Sequence, residues 1–209
     1  MFADDTKIFR QIASQEDAVE LQSDLQKLQE WSNIWLLQFN AEKCHVLTLG
    51  RFENIKHAHQ YNLCSNELEH VSEEKDLGVT IDEELKFEEH IARKVQVANG
   101  IVGQIRRSFS FLNAETFRRS FVAFVRPHLE YCQAAWSPHL QRNINMLENV
   151  QIRATKLVDG LSSLDYPERL KRMDLPTLVY RRQKGRHDRG FQTLQLIRQK
   201  HSLDFVQSP

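Results

Sequence analysis

The sequence predicts an α+β protein: a small antiparallel sheet with one helix packed on it over residues 1–86, followed by a mainly helical region over 87–190. Three observations predict this. In "SQEDAVELQSDLQKLQEWSNIW" apolar residues recur every three or four positions. Between that segment and residue 82 the pattern alternates at strand period, broken by turn residues. From "LKFEEHIARKVQVANGIVGQIRRSF" onward the helical period returns, which places a boundary near residues 84–88. The tail, residues 191–209, carries no pattern that assigns it.

The elements follow in order. "FADD" before "TKIF" reads as a hairpin tip, with the carboxylates of Asp4 and Asp5 projecting where two strands meet. Hard oxygen ligands of this kind suit a divalent cation, and a turn without metal is the alternative. Ser14 is placed to cap the first helix with Asp17 three residues on, and Ala18, Leu21, Leu25, Leu28, Trp31 and Trp35 form its expected buried face. "FNAEKCHVLTLG" shifts to a strand, "HQYNLCSNELEHV" gives two short strands around Ser65–Asn66, and "KDLGVTID" gives one more. Beyond the long helix from residue 86, further helices are expected near 114–125, 142–158, 165–173 and 175–184. The prolines of "VRPHLEY" and "WSPHLQ" are expected to separate helices.

Composition narrows the class. With 209 residues and 41% hydrophobic content the chain can bury a core. It contains no apolar run of membrane-spanning length and no basic-then-apolar leader, so an intracellular protein with no membrane partner is expected. Cys44, Cys64 and Cys132 are odd in number and lack C-x-x-C spacing, which points to reduced, mostly buried thiols rather than disulfides or zinc. His57 and His59 have no second ligand pair nearby and read as loop or strand residues. The net charge of zero hides a division: residues 1–92 hold 8 Lys+Arg and 19 Asp+Glu, net −11, and residues 93–209 hold 20 and 9, net +11. Such halves suit cations at one place and polyanions at another, or surfaces that attract each other.

"FADDTKIF", "LQEWSNIWLLQFNAEKCHVLTLG", "EEKDLGVTIDEELKFEEHI", "VRPHLEYCQAAWSP" and "LENVQIRATKLVDGL", in this order, resemble the reverse transcriptases of non-LTR (LINE-type) retrotransposons, jockey-like elements in particular. The resemblance spans residues 1 to about 185. It implies a partial polymerase palm followed by a thumb, working on an RNA template and a DNA primer. It implies that Asp4 ligates Mg²⁺ directly, with Asp5 as a less directly engaged companion. Lys43 in "FNAEKC" falls where the family has a lysine that protonates the pyrophosphate leaving group. The alternative for Lys43 is a cation favoured by a helix C-terminus. Leu77 and Gly78 in "DLGV" are similar to the primer-grip turn, where the backbone approaches the primer; a strand irregularity at Gly78 is the alternative.

Under the same resemblance Arg93, Lys94, Arg106, Arg107, Arg118, Arg119 and Arg126 hold an RNA–DNA hybrid by its phosphates, about half of them in contact and the rest surface charge. "YRRQKGRHDRG" resembles the family's "RR…GD" stretch, interrupted by His187. The family's fingers, its first catalytic aspartate and its nucleotide-binding residues have no counterpart in these 209 residues. The expectation is therefore a fragment inactive by itself, with no small-molecule pocket. A non-catalytic nucleic-acid-binding module and a protein-interaction domain are the alternatives.

Overall fold

The structure, a computed structural model, describes residues 6–50, 59–186 and 203–208, with 185–186 and 203–208 described as backbone. The described residues fall into two compact units, one ending at Leu85 and taking in the C-terminal strand, the other beginning at Lys86.

In the first unit β1 (Thr6–Gln11) leads into α1 (Gln15–Trp35), a 3₁₀ turn (Ala41–Lys43) and β2 (His45–Leu49). Then come β3 (Asn62–Leu63), β4 (Asn66–Glu67), β5 (Glu69–Val71), β6 (Glu73–Asp76) and β7 (Val79–Asp82). The start of α1 is fixed by a capping box: the Ser14 hydroxyl accepts the Asp17 amide, and the Asp17 carboxylate accepts the Ser14 amide at 2.8 Å. Ala18, Leu21 and Leu25 then pack with Ile12, Cys44, Val46, Tyr61, Leu63 and Leu68 into the core of this unit.

The expected buried face of α1 extends too far. Its buried stripe runs 18, 21, 25 and then Ser32. At 3.6 residues per turn, Trp35 and Trp31 stand roughly a fifth and a third of a turn off that line. Both are exposed, Trp35 by 65%. The helix closes on Leu36 in the left-handed conformation, with the Leu36 and Leu37 amides both donating to the Ser32 carbonyl.

The four-stranded sheet has the order β1, β8 (Leu203–Ser208), β2, β5. It is mixed rather than antiparallel: β8 runs antiparallel to both neighbours, while β2 and β5 are parallel, His45 opposite Glu69 and Leu47 opposite Val71. The tail that the sequence leaves unassigned thus supplies an inner strand. Two hairpins are separate from this sheet. Strands β3 and β4 turn at Cys64 and Ser65, one residue earlier than expected, both with positive φ (50° and 64°). "KDLGVTID" is not one continuous strand: it holds the end of β6, the two-residue turn and the whole of β7.

The second unit holds α2 (Glu88–Ser108), α3 (Ala114–Ser120), a π turn (Phe121–Val125), α4 (Arg126–Glu130), α5 (Gln133–Trp136), α6 (Gln141–Thr155), α7 (Tyr166–Arg172) and α8 (Leu178–Arg186). Ile91, Ala98 and Ile105 recur every seven residues on α2, which packs on α4 and α6. Pro127 does not separate helices as expected. The Arg126 amide reaches back five residues to the Phe121 carbonyl, and this wider turn carries the helical path through the proline to Glu130. "WSPHLQ" does break the chain between α5 and α6.

A buried polar network ties the later helices. The Glu148 carboxylate accepts the Tyr166 hydroxyl at 2.5 Å and the Val179 amide at 3.0 Å, satisfying the open N-terminus of α8. Burial first, then the bond to Glu148, pushes the Tyr166 hydroxyl pKa up. All three cysteines are free; Cys44 is buried, Cys64 half-buried and Cys132 exposed, so the thiols are less buried than expected. Among the described residues no helix is long and apolar enough to cross a membrane.

Candidate nucleic-acid interface

Asp4 and Asp5, the candidate metal ligands, lie outside the described residues. Strand β1 begins directly after them at Thr6. Among the described residues no group of three His, Cys, Asp or Glu side chains is placed to hold a metal ion. Asp76, a carboxylate close in the fold to β1, is ion-paired with Lys7 of that strand.

Lys43 closes the 3₁₀ turn, its amide donating to the Asn40 carbonyl at 3.0 Å, and its side chain is exposed. It does not sit in the last turn of α1, which ends at Trp35 and carries no basic residue there. The macrodipole of α1 therefore does not account for it, since that field falls off within the final turn.

Leu77 and Gly78 form the two-residue tip of the β6–β7 hairpin, with φ of 44° and 80°. Positive φ at both centres is what a primed turn needs to match the twist of the flanking strands. Gly78 meets the requirement without steric cost, whereas Leu77 does not. Leu77 is half exposed.

The candidate cations of the helical unit divide by what neutralises them. Arg93 pairs with Glu89 one turn earlier at 2.9 Å, and Arg119 with Glu115 at 2.5 Å. Arg118 reaches the Asp174 carboxylate at 3.0 Å, and Lys94 lies over the Tyr131 ring, 5.7 Å from its centroid. Arg126 is half-buried, with its Nε and Nη2 unbonded among the described residues; burial lowers its pKa, and Arg181 adds to that. Neighbouring Arg181 takes the Glu130 carboxylate through two nitrogens, at 2.5 and 2.8 Å. Arg106 and Arg107 differ from all of these: they close α2, are exposed, and have no acidic partner among the described residues. Position at a helix C-terminus favours both charges.

Next to this pair the sequence continues Ser108, Phe109, Ser110, Phe111, and both phenylalanines are exposed. They were not among the expected site residues. The signal was present: two rings separated by a serine, one residue after an arginine pair.

On the opposite end of α2, His90 is buried against Trp136, ring centroids 5.1 Å apart. Burial, then Lys94 and Arg93, pushes its pKa down to about 4, so at neutral pH this side chain contributes no charge to the surface.

The fold and the charge layout define a class: a mixed α/β chain whose helical unit ends its longest described helix in an arginine pair with no acidic partner among the described residues. No family model, curated protein or solved structure matches the chain.

Proposed function

We propose that this chain is the palm-to-thumb portion of an RNA-directed DNA polymerase of the non-LTR retrotransposon type, and that what these residues do by themselves is bind nucleic-acid backbone without sequence preference. One observation carries the binding: Arg106 and Arg107 are exposed and, among the described residues, lack the acidic partners that occupy Arg93, Arg118 and Arg119. A phosphate need displace nothing to reach them, and phosphates are alike at every step of a duplex. The hairpin tip at Leu77–Gly78 supports the palm reading, because the stretch that resembles the primer grip forms a tight two-residue turn.

In this reading the partners are an RNA template and a DNA primer, inside the cell, with Asp4 and Asp5 as ligands for Mg²⁺. When bound, the ion would neutralise charge developing on the phosphoryl oxygens. Lys43 is the proton donor to the leaving group, and its exposure at the end of the 3₁₀ turn leaves its ammonium accessible.

The test is binding of the full chain to an RNA–DNA hybrid at several salt concentrations. The logarithm of affinity should fall linearly with that of salt, and Arg106→Ala with Arg107→Ala should reduce the slope by about 1.8, near 0.9 for each lost contact. An unchanged slope in the double variant removes this reading of the surface.

A second reading, a protein-interaction domain, is favoured by the exposed end of α1, where Trp31, Ile34, Trp35, Leu36 and Leu37 stand in solvent. Trp35→Glu would abolish concentration-dependent self-association or partner capture if that surface docks protein, and leave hybrid binding unchanged.

A further inference from the structure

We propose that the segment Arg106–Phe111 is a platform for single-stranded nucleic acid, with phosphates at Arg106 and Arg107 and bases stacked on Phe109 and Phe111. This rests on the nucleic-acid reading above and narrows the partner to an unpaired strand.

The rings carry the inference. Phe109 is 40% exposed and Phe111 67%. Leaving a phenylalanine partly in water forgoes stabilisation that burial would supply. Two of them follow within four residues of two exposed cations that have no acidic partner among the described residues. A duplex keeps its bases in the stack and offers this surface phosphates alone. An unpaired strand offers both phosphates and π faces, and base–aromatic stacking is tolerant of sequence because every base has such a face. Arginine beside the rings adds cation–π contact with the same bases.

The loop is held in place rather than trailing. Phe109 leaves α2 in an extended conformation, φ −125° and ψ 126°. Two residues beyond the second serine, Leu112 is buried and its amide donates to Asp159 at 2.6 Å. Asn113 then caps α3, its side-chain oxygen accepting the Thr116 amide at 2.8 Å. The rings therefore sit between a helix end and a clamp, so little ordering entropy remains to be lost on binding.

The experiment uses the full chain and three labelled probes of about 12 nucleotides: a deoxythymidine strand, an abasic strand of equal length, and a duplex. Phe109→Ala with Phe111→Ala should weaken the thymidine strand about tenfold or more and leave the abasic strand and the duplex unchanged. Phe109→Tyr with Phe111→Tyr should retain wild-type affinity for all three. Arg106→Ala with Arg107→Ala should weaken all three, lowering the salt slope by about 1.4 for the strands and about 1.8 for the duplex. No loss from the phenylalanine pair, or an equal loss on all three probes, overturns the platform while an intact arginine effect leaves the phosphate reading standing. Relief of self-association by the phenylalanine variant, with strand binding unmoved, assigns the rings to protein contact and likewise overturns it. Unfolding midpoints of both variants should match wild type, because all four side chains are exposed.

Discussion

The Leu112 amide donates to the Asp159 carboxylate at 2.6 Å, and the Asp159 amide donates back to the Leu112 carbonyl at 3.1 Å. This reciprocal pair joins the α2–α3 loop to the turn after α6 across 47 residues of sequence. It fixes the point from which Phe111 projects.

Asp159→Ala should strand the buried Leu112 amide and destabilise the chain by about 1–3 kcal/mol. Asp159→Asn, which keeps an acceptor oxygen, should lose roughly half as much. Denaturant midpoints for the three proteins check this; equal stability of Asp159→Ala and wild type would mean that the pair fixes nothing.

Leu77 occupies a left-handed position that a side chain with a Cβ enters at a cost of roughly 1–2 kcal/mol, and asparagine enters more cheaply. Leu77→Asn should therefore stabilise the chain by about 0.5–1 kcal/mol, whereas Gly78→Ala should destabilise it by about 1 kcal/mol. Thermal unfolding of both variants reads the signs, and opposite signs for the two are the signature of a primed turn.

His90 makes stability depend on pH. Its folded pKa lies near 4 and its ordinary value is 6.5, so between these the unfolded chain binds more protons. The contribution is fully present above about pH 6.5 and is lost as pH falls toward 4, on the order of 3 kcal/mol in all. Replacing His90→Asn should flatten this part of the stability–pH curve, and a curve of unchanged shape would show that His90 does not titrate as its burial against Trp136 requires.

Primer extension on an RNA template should be absent for these 209 residues with Mg²⁺ or Mn²⁺. Two-metal chemistry needs carboxylates from more than one segment, and Asp4 and Asp5 are adjacent. Asp76, a carboxylate from a second segment close in the fold to β1, is ion-paired with Lys7. Extension that disappears in Asp4→Ala would reverse the expectation, and its survival in Asp76→Asn would then exclude Asp76 as the second ligand.

Much of this architecture is legible in the sequence because helix and strand periods are local. The Ser14–Asp17 capping box, the stripe Ala18–Leu21–Leu25 and the return of helical period after residue 86 each follow from spacing and residue type over a few turns. The arginine pair at Arg106 and Arg107 is likewise visible as two adjacent cations. Its lack of acidic partners is not, because the acids that neutralise the other candidates include Asp174, which lies 56 residues from Arg118.

Tertiary structure decided what depends on distant partners. The sequence by itself determined where chain direction and period change; it did not determine that residues 203–208 enter the sheet between β1 and β2, or that β2 and β5 run parallel. Nor did it determine that Trp31 and Trp35 face water, that a π turn carries a helix through Pro127, or that Asp159 clamps Leu112. Period and capping are set by interactions within a turn or two of the chain. Pairing, burial and neutralisation are set by which segments meet after long loops close, and a single segment carries no record of the surface it will meet.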